Sequence, residues 1–382
     1  MANCNGLFKD FNKEIRLDND RRVTLREKRN DLRQRINGGY DVVKNLDKLD
    51  HSLEFQSQGS YIMDTIINPS DKDDQYDLDD GVYFIGGLNR EQRSKPETFH
   101  NWIIRSIENG KSDNEIDEII DKQTCVRVVY KGRNGDLNYH IDLPIYYAIN
   151  VNEPDLAHKS LGWIISNPVH FIIWFENKIN SGFKKEFILE SKLYSNQFDA
   201  WLNDIRKKDH QLRRVVRYLK AWGDFKKGDM PPGIIMTILA AENYVEDERD
   251  DISLKNTLVN IKDFLLANGF KCPRPSTPKG EDLFENYSDA KKEYFKKALD
   301  AFIDSAEKAI EQSNQKQSSN EWRKHLGERF KEGEDFDSDE RENELKAIRD
   351  SVIAGSAYTQ RDGSITTDNT GVKNKEHKNY GG

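Results

Sequence analysis

The sequence predicts a mixed α/β or α+β core followed by a mainly helical half, as roughly two domains or one large bilobed unit. Three observations lead there. Between residues 38 and 150, strand-length runs rich in β-branched and aromatic residues are interleaved with helical segments. From about residue 157 the apolar spacing is mainly helical. The 382 residues are 36% hydrophobic and 33% charged, which is polar but still compatible with a buried core of that size.

The chain opens with helical spacing over residues 7–37, where Leu7, Phe8 and Phe11 lead into "LREKRNDLRQRI". "NGGYD" at 37–41 reads as a break, and residues 40–50 resume helix. "LEFQSQGSYIMDTII" and "YDLDDGVYFIG" read as strands flanking the loop "NPSDKDDQ". Residues 97–109 read as helix. "TCVRVVYKG" and "LNYHIDLPIYYAI" read as strands joined by "RNGD", a hairpin signal. In the helical half, Pro168 marks a helix start, "NQFDAWLNDIRKKDHQLRRVVRYLKAWGDF" spans two segments, and Gly269 suits a C-cap. The last thirty or so residues lack periodicity and bulky aliphatics, so they read as a disordered tail.

Composition narrows the function classes. The formal net charge of −8 argues against a duplex or other stable nucleic-acid partner, though not against a local basic pocket for a polyphosphate. Cys4, Cys125 and Cys272 are scattered and form no CxxC, which disfavours a disulfide framework or a zinc site. The charged N-terminus does not read as a signal peptide, and no apolar run approaches the roughly 20 residues of a membrane span. A cytoplasmic enzyme is the expectation.

The chemistry concentrates in "QGSYIMDTIINPSDKDDQYDLDDGVYF", residues 58–84. On a strand Asp77 and Asp79 share one face, and Leu78 and Asp80 the other. Two adjacent carboxylates repel unless a cation bridges them, so the DxD reads as a Mg²⁺ site or as an acidic turn. Asp71, Asp73 and Asp74 fall in the loop and read as solvated. Asp142 lies in an apolar strand run about sixty residues on, where an unpartnered carboxylate is costly. Gly59 and Ser60 precede the DxD, and such a pair lets a backbone approach a phosphate and donate to it. Gly-Ser, DxD and a later strand Asp together form the arrangement of a polymerase β-type nucleotidyltransferase. There, three carboxylates hold two divalent metals for in-line attack on a triphosphate.

The ordered set "QGSYIMDTI", "YDLDDGVYF", "KQTCVRV", "HIDLPIYYAI", "SNP", "LRRVVRYLKAW" and "LF-x-x-Y" resembles the bacterial cGAS/DncV-like nucleotidyltransferases (CD-NTases), closest to the branch containing the bacterial cyclic GMP-AMP synthase. The resemblance spans about residues 55–330. It implies an α+β fold, a polymerase β-type core with a helical OAS-like second lobe. The implied division is an N-terminal helix spanning the lobes (1–37), a nucleotidyltransferase core (38–155), a helical lobe (156–337) and a flexible tail (338–382). It implies metal binding and catalysis by Asp77, Asp79 and Asp142. It implies nucleotide and triphosphate contacts from Gln58, Gly59, Ser60, Arg127, Ser166 and Lys220. Met63 stands where a relative has an aromatic residue facing a base. By pattern alone, Lys220 flanks the apolar stripe of an amphipathic helix, and Arg127 alternates with Val126 and Val128, so each also fits a solvated surface position.

The implied activity joins ATP with GTP or another NTP and cyclises them with two Mg²⁺ or Mn²⁺ ions. The product is a cyclic oligonucleotide such as a 3′,3′-cyclic dinucleotide (cGAMP) for a downstream effector in bacterial anti-phage (CBASS) signalling. Gly382 is implied as the point where an E1/E2-like partner conjugates the tail. Competing readings are a cyclic trinucleotide synthase, a linear oligoadenylate or RNA-end enzyme, a nucleotide-sugar glycosyltransferase and a non-catalytic nucleotide sensor.

Overall fold

The N-terminal stretch forms two helices rather than one, α1 (Asn5–Ile15) and α2 (Asn19–Asp47). The chain is extended at Arg16 and Asp18, and the Asp18 carboxylate caps α2 by accepting from the Arg21 N–H at 2.8 Å. The structure, a computed structural model, describes residues 2–71, 74–111, 114–132, 136–149, 153–180, 182 and 195–375. Asp73, the turn residues Arg133 to Gly135 and Gly382 lie outside them.

Next come β1 (Ser52–Gln58), a one-turn helix α3 (Gly59–Ile62), β2 (Tyr76–Ile85), α4 (Pro96–Asn109), β3 (Ile116–Asp121), β4 (Cys125–Tyr130) and β5 (Tyr139–Ala148). The strand expected to continue through Gly59 instead ends at Gln58, because Gly59 turns the backbone to φ +68°. A hairpin follows, β6 (Asp155–His158) and β7 (Gly162–Ile165), where helix was expected from about residue 157. These strands carry too few residues to show a period, and they pair onto the end of β5 through Tyr146 and Tyr147.

Among the described residues the sheet runs β1-β2-β5-β4-β3, with β6 and β7 attached at β5. Only the central β2–β5 pair is parallel. α2 and α4 cover one face, where Phe84, Phe99, Trp102 and Tyr147 form an aromatic cluster. The opposite face turns toward the helical half. That half holds α5 (Pro168–Ile179), α6 (Ser195–Lys208), α7 (Gln211–Lys226), α8 (Gly233–Asn243), α9 (Asp250–Ala267), α10 (Asp289–Glu311) and α11 (Gln315–Leu326). Asn167 caps α5 ahead of Pro168, and Gly269 sits past α9 at φ +63°, as the sequence suggested. α1 belongs to this half. Its buried Phe8 packs edge-on against Tyr218, Trp322 and Phe330.

The tail is more regular than its composition suggested. It carries α12 (Ser338–Ile353) and three two-residue strands, β8 (Tyr358–Thr359), β9 (Ile365–Thr366) and β10 (Val372–Lys373), in one small sheet. Strands this short give no alternation to read. No helix among the described residues is long and apolar enough to cross a membrane.

"NGGYD" is also not a break. Gly38 and Gly39 stay inside α2, and Gly39 forms a notch for α4, since a Cβ there would lie 1.9 Å from the Ser106 carbonyl oxygen. A Cβ at Gly38 would meet nothing within 4 Å. The two neighbours therefore have opposite expectations. Gly38→Ala should stabilise the protein by up to about 1 kcal/mol through helix propensity. Gly39→Ala should cost about 1–3 kcal/mol by forcing α2 and α4 apart. Urea midpoints of the two variants check both signs, and a stabilised Gly39→Ala would contradict the notch.

Candidate active site

Sheet register builds the site. On the parallel pair, Asp77 lies beside His140 and Asp79 beside Asp142. On the outer sides, Gln58 pairs with Asp79 and Arg127 with Asp142. Gln58, Asp79, Asp142 and Arg127 thus form one row across four strands, with Asp77 and His140 in the next row but one on the same face. Asp80 points to the other face, buried, where Arg33 of α2 donates to it and Ser57 Oγ donates at 2.9 Å. The alternation read from "YDLDD" is therefore the alternation found.

The Gly59-Ser60 turn presses directly on this row. A Cβ on Gly59 would stand 2.2 Å from Asp79 Oδ2, and its φ is +68°. The backbone conformation favours glycine there, and a Cβ would force the Asp79 carboxylate to move. A cleft of about 910 Å³ opens over the turn, lined by the sheet (Gly59, Ser60, Asp77, Asp79) and by the helical half (Ser166, Lys220). That is near the upper end of the ~300–1,000 Å³ common for small-molecule sites.

The electrostatics are unbalanced toward negative charge. Burial, then Asp77 and then Asp142 push the Asp79 carboxyl well above the usual range, against Lys220 and Arg127. Burial pulls Lys220 down to about 8, although Asp77 and Asp79 oppose it. Lys220 reaches the cleft from α7 and donates to the Thr65 carbonyl at 3.0 Å and to Thr65 Oγ1 at 3.3 Å. Arg127 lines the cleft and grips Asp142 with two hydrogen bonds, 2.7 and 2.8 Å. His140 is pushed down by burial; its Nδ1 meets Gln75 Oε1 at 2.8 Å, and its Nε2 stands 4.0 Å from Asp142.

Among the described residues, no three carboxylates, imidazoles or thiolates already stand as a cation's ligand set. Asp142 carries Arg127, which leaves Asp77 and Asp79 as the cleft-facing pair. Oxygen donors with like charge in a partly desolvated cleft suit a hard divalent cation. Burial and the neighbouring carboxylates both raise Asp79, and the repulsion is the part that such an ion would relieve.

The remaining positions are connected through a tyrosine that the sequence did not single out. Tyr146 OH accepts from Gln58 Nε2 at 3.2 Å, and burial raises the Tyr146 pKa against the smaller, lowering effect of the nearby Ser166 hydroxyl at the entry of α5. Its signal was available, since Tyr146 lies four residues after Asp142 on the same strand face. Asp71, read as solvated, is held by Lys227 at 2.9 Å, while Asp74 is exposed at the cleft's edge. Arg274 and Thr277 also line the cleft, on the Pro-rich loop that hydrogen-bonds to His170 through Thr277 Oγ1 at 2.8 Å.

With this geometry in hand, the comparisons with known proteins are specific. Residues 53–146 match the family model for the nucleotidyltransferase domain of DncV-like cyclic GMP-AMP synthases. The chain is 27% identical over 239 residues to a cyclic GMP-AMP synthase of Escherichia albertii, covering 60% of this chain and 44% of that protein. It is 26% identical over 249 residues to the cyclic GMP-AMP synthase of Vibrio cholerae serotype O1, covering 57% and 54%. The chain thus spans about half the length of the curated relatives it matches. In fold it is similar to the crystal structure of Vibrio cholerae DncV, with a TM-score of 0.65 at 16% identity, over 87% of this chain and 98% of that one. The DncV structure holding the linear intermediate 5' pppA(3',5')pG is also similar, with a TM-score of 0.62 at 16% identity, over 84% and 93%.

Gly59 and Gly162 separate strain from clash. Both have positive φ, but a Cβ at Gly162 (φ +80°) meets nothing within 4 Å. Gly162→Ala should cost about 1 kcal/mol of stability for backbone strain alone. Gly59→Ala should cost at least about 1 kcal/mol more, because Asp79 must move. Equal losses in urea unfolding would mean that Asp79 gives way freely.

Proposed function

We propose that this chain, whose residues 53–146 match the model of the DncV-like nucleotidyltransferase domain, joins ATP with GTP or another NTP and closes the product into a cyclic dinucleotide. The observation that supports this reading is the sheet register, which sets Asp142 beside Asp79 and Asp77 on the same face, with Asp77 and Asp79 lining the cleft and the Gly59 turn packed against Asp79. The relatives named cyclic GMP-AMP synthase and the DncV structure with a linear dinucleotide support the product class. The product would act as a second messenger for an effector in anti-phage defence, made in the cytoplasm.

The residues divide the work. The Gly59-Ser60 turn would receive the donor triphosphate, and Lys220 would face it from the helical lobe. Asp77 and Asp79, with Asp142, would hold Mg²⁺ or Mn²⁺. When bound, the metal supplies charge neutralisation on the triphosphate and activation of the attacking hydroxyl. Asp142, next to the acceptor, would orient that hydroxyl, and Arg127 beside it would supply positive charge to the nucleotide. Ser166 and Met63 line the wall where a base would lie. Positioning and charge stabilisation carry this chemistry, so no protein nucleophile is required. The first transfer releases pyrophosphate and leaves a linear dinucleotide triphosphate. The second releases another pyrophosphate and closes the ring.

The test is incubation with labelled ATP and GTP plus Mg²⁺ or Mn²⁺, followed by phosphatase. A resistant product is expected, whereas a sensitive product would favour a linear-product enzyme. Asp77→Ala with Asp79→Ala should lower turnover at least about a thousandfold. It should leave the unfolding midpoint of the metal-free protein unchanged or higher, since a like-charge repulsion is removed. Wild-type product from the double variant would sink the assignment.

A further inference from the structure

The phosphate turn does not stand on its own strand alone. After α3, Met63 is αR (φ −73°, ψ 0°) and Asp64 is left-handed (φ +51°). This pair closes the turn on itself. Met63 N–H donates to the Gly59 carbonyl at 3.3 Å and Thr65 N–H to the Ser60 carbonyl at 2.9 Å. The geometry is a left-handed helix cap made by a residue other than glycine, a conformation costing about 1–2 kcal/mol unless its surroundings impose it.

The surroundings are three side chains of α7. Arg213 Nη1 donates to the Met63 carbonyl, Arg217 Nη1 to the Asp64 carbonyl, and Lys220 Nζ to the Thr65 carbonyl. Three consecutive carbonyls are thus taken by residues at i, i+4 and i+7, one face of one helix. Arg213 and Arg217 are fully buried and do not line the cleft. Their charges are met inside the protein. Glu176 accepts from Arg213 at 2.6 and 3.0 Å, and Asp209 and the Asp64 carboxylate meet Arg217.

Resting on the nucleotide-binding reading above, we infer that Arg213 and Arg217 are positioning residues for the triphosphate. They act through the carbonyls of Met63 and Asp64 to hold the Gly59-Ser60 turn at its distance from Asp79. They touch no substrate. The helical half thereby sets the geometry of a turn that belongs to the sheet, and Lys220, the last rung of the same ladder, reaches the cleft.

The test separates the phosphate end of a nucleotide from its nucleoside end. The variant Arg213→Met with Glu176→Met replaces a buried ion pair with apolar volume, an exchange that proteins often tolerate, while leaving the Met63 carbonyl without its donor. Binding of α,β-methylene-ATP and of adenosine is measured by calorimetry with Mg²⁺, on protein whose folding is checked by circular dichroism. The expected result is about a tenfold loss of affinity for the triphosphate, as one buried hydrogen bond implies, with adenosine unchanged. Equal losses for both ligands, or no loss, would overturn the inference. Glu176→Gln keeps Arg213 on the Met63 carbonyl and should bind the triphosphate like wild type. A loss there equal to the double variant's would reduce Arg213 to a structural role and also overturn it. Should the double variant not fold, Arg217→Lys carries the same comparison for the Asp64 carbonyl. Failure of the wild type to bind α,β-methylene-ATP would instead remove the nucleotide-binding reading, and the inference with it.

Discussion

The buried carboxylate of Asp64 is the interaction on which both lobes depend. It is fully excluded from solvent and meets Arg16 at 2.6 Å, Arg22 at 2.6 Å and Arg217 at 3.5 Å. The charges of those guanidinia hold its pKa below the ordinary range, against burial. These arginines come from the α1–α2 junction, from α2 and from α7. One carboxylate therefore ties the N-terminal helices, the Gly59-Ser60 turn and the helical half. A charge buried this deeply is tolerable only because it is over-partnered, and removing it would leave several buried cations with too little compensation.

The cleft follows the opposite rule. There the carboxylates outnumber the cations that face them, and the imbalance sits where a ligand can enter. The Asp64 charge is compensated internally by three guanidinia and is structural. Asp77 and Asp79 are not so compensated, and burial together with the Asp77 and Asp142 charges raises the Asp79 pKa. The same residue type, fifteen positions apart, is a compensated fastening in one place and a charge crowded by like charges in the other. Strongly perturbed groups in a cleft mark functional sites for this reason.

Much of the site was legible because strands alternate. "YDLDD" and "HIDLP" state which side chains share a face, and the sheet places Asp77, Asp79, His140 and Asp142 accordingly. Pro168, Gly269 and the β4–β5 pairing were legible for similarly local reasons. Failures occurred where a local signal had two meanings. "NGG" reads as a break, but Gly39 is small so that α4 can pass. β6, β7 and the strands of the tail are too short to carry a period. Arg213 and Arg217 resemble the polar flank of an amphipathic helix, since nothing in "QLRRVVRYLKAW" reveals three carbonyls waiting across the lobe boundary.

The sequence by itself determined the chemical inventory and its facing: two carboxylates on one side of a strand, a third on another, and a glycine able to approach a phosphate. These follow from a two-residue period and from the absence of a Cβ, properties of the chain that need no partner. The tertiary structure alone decided that the strands lie adjacent in parallel register, that Arg127 answers Asp142, and that α7 holds the turn. Those facts depend on contacts such as Arg213 with Met63, 150 residues apart in sequence. No local pattern encodes a distance of that kind, because it arises only when separate elements share one core.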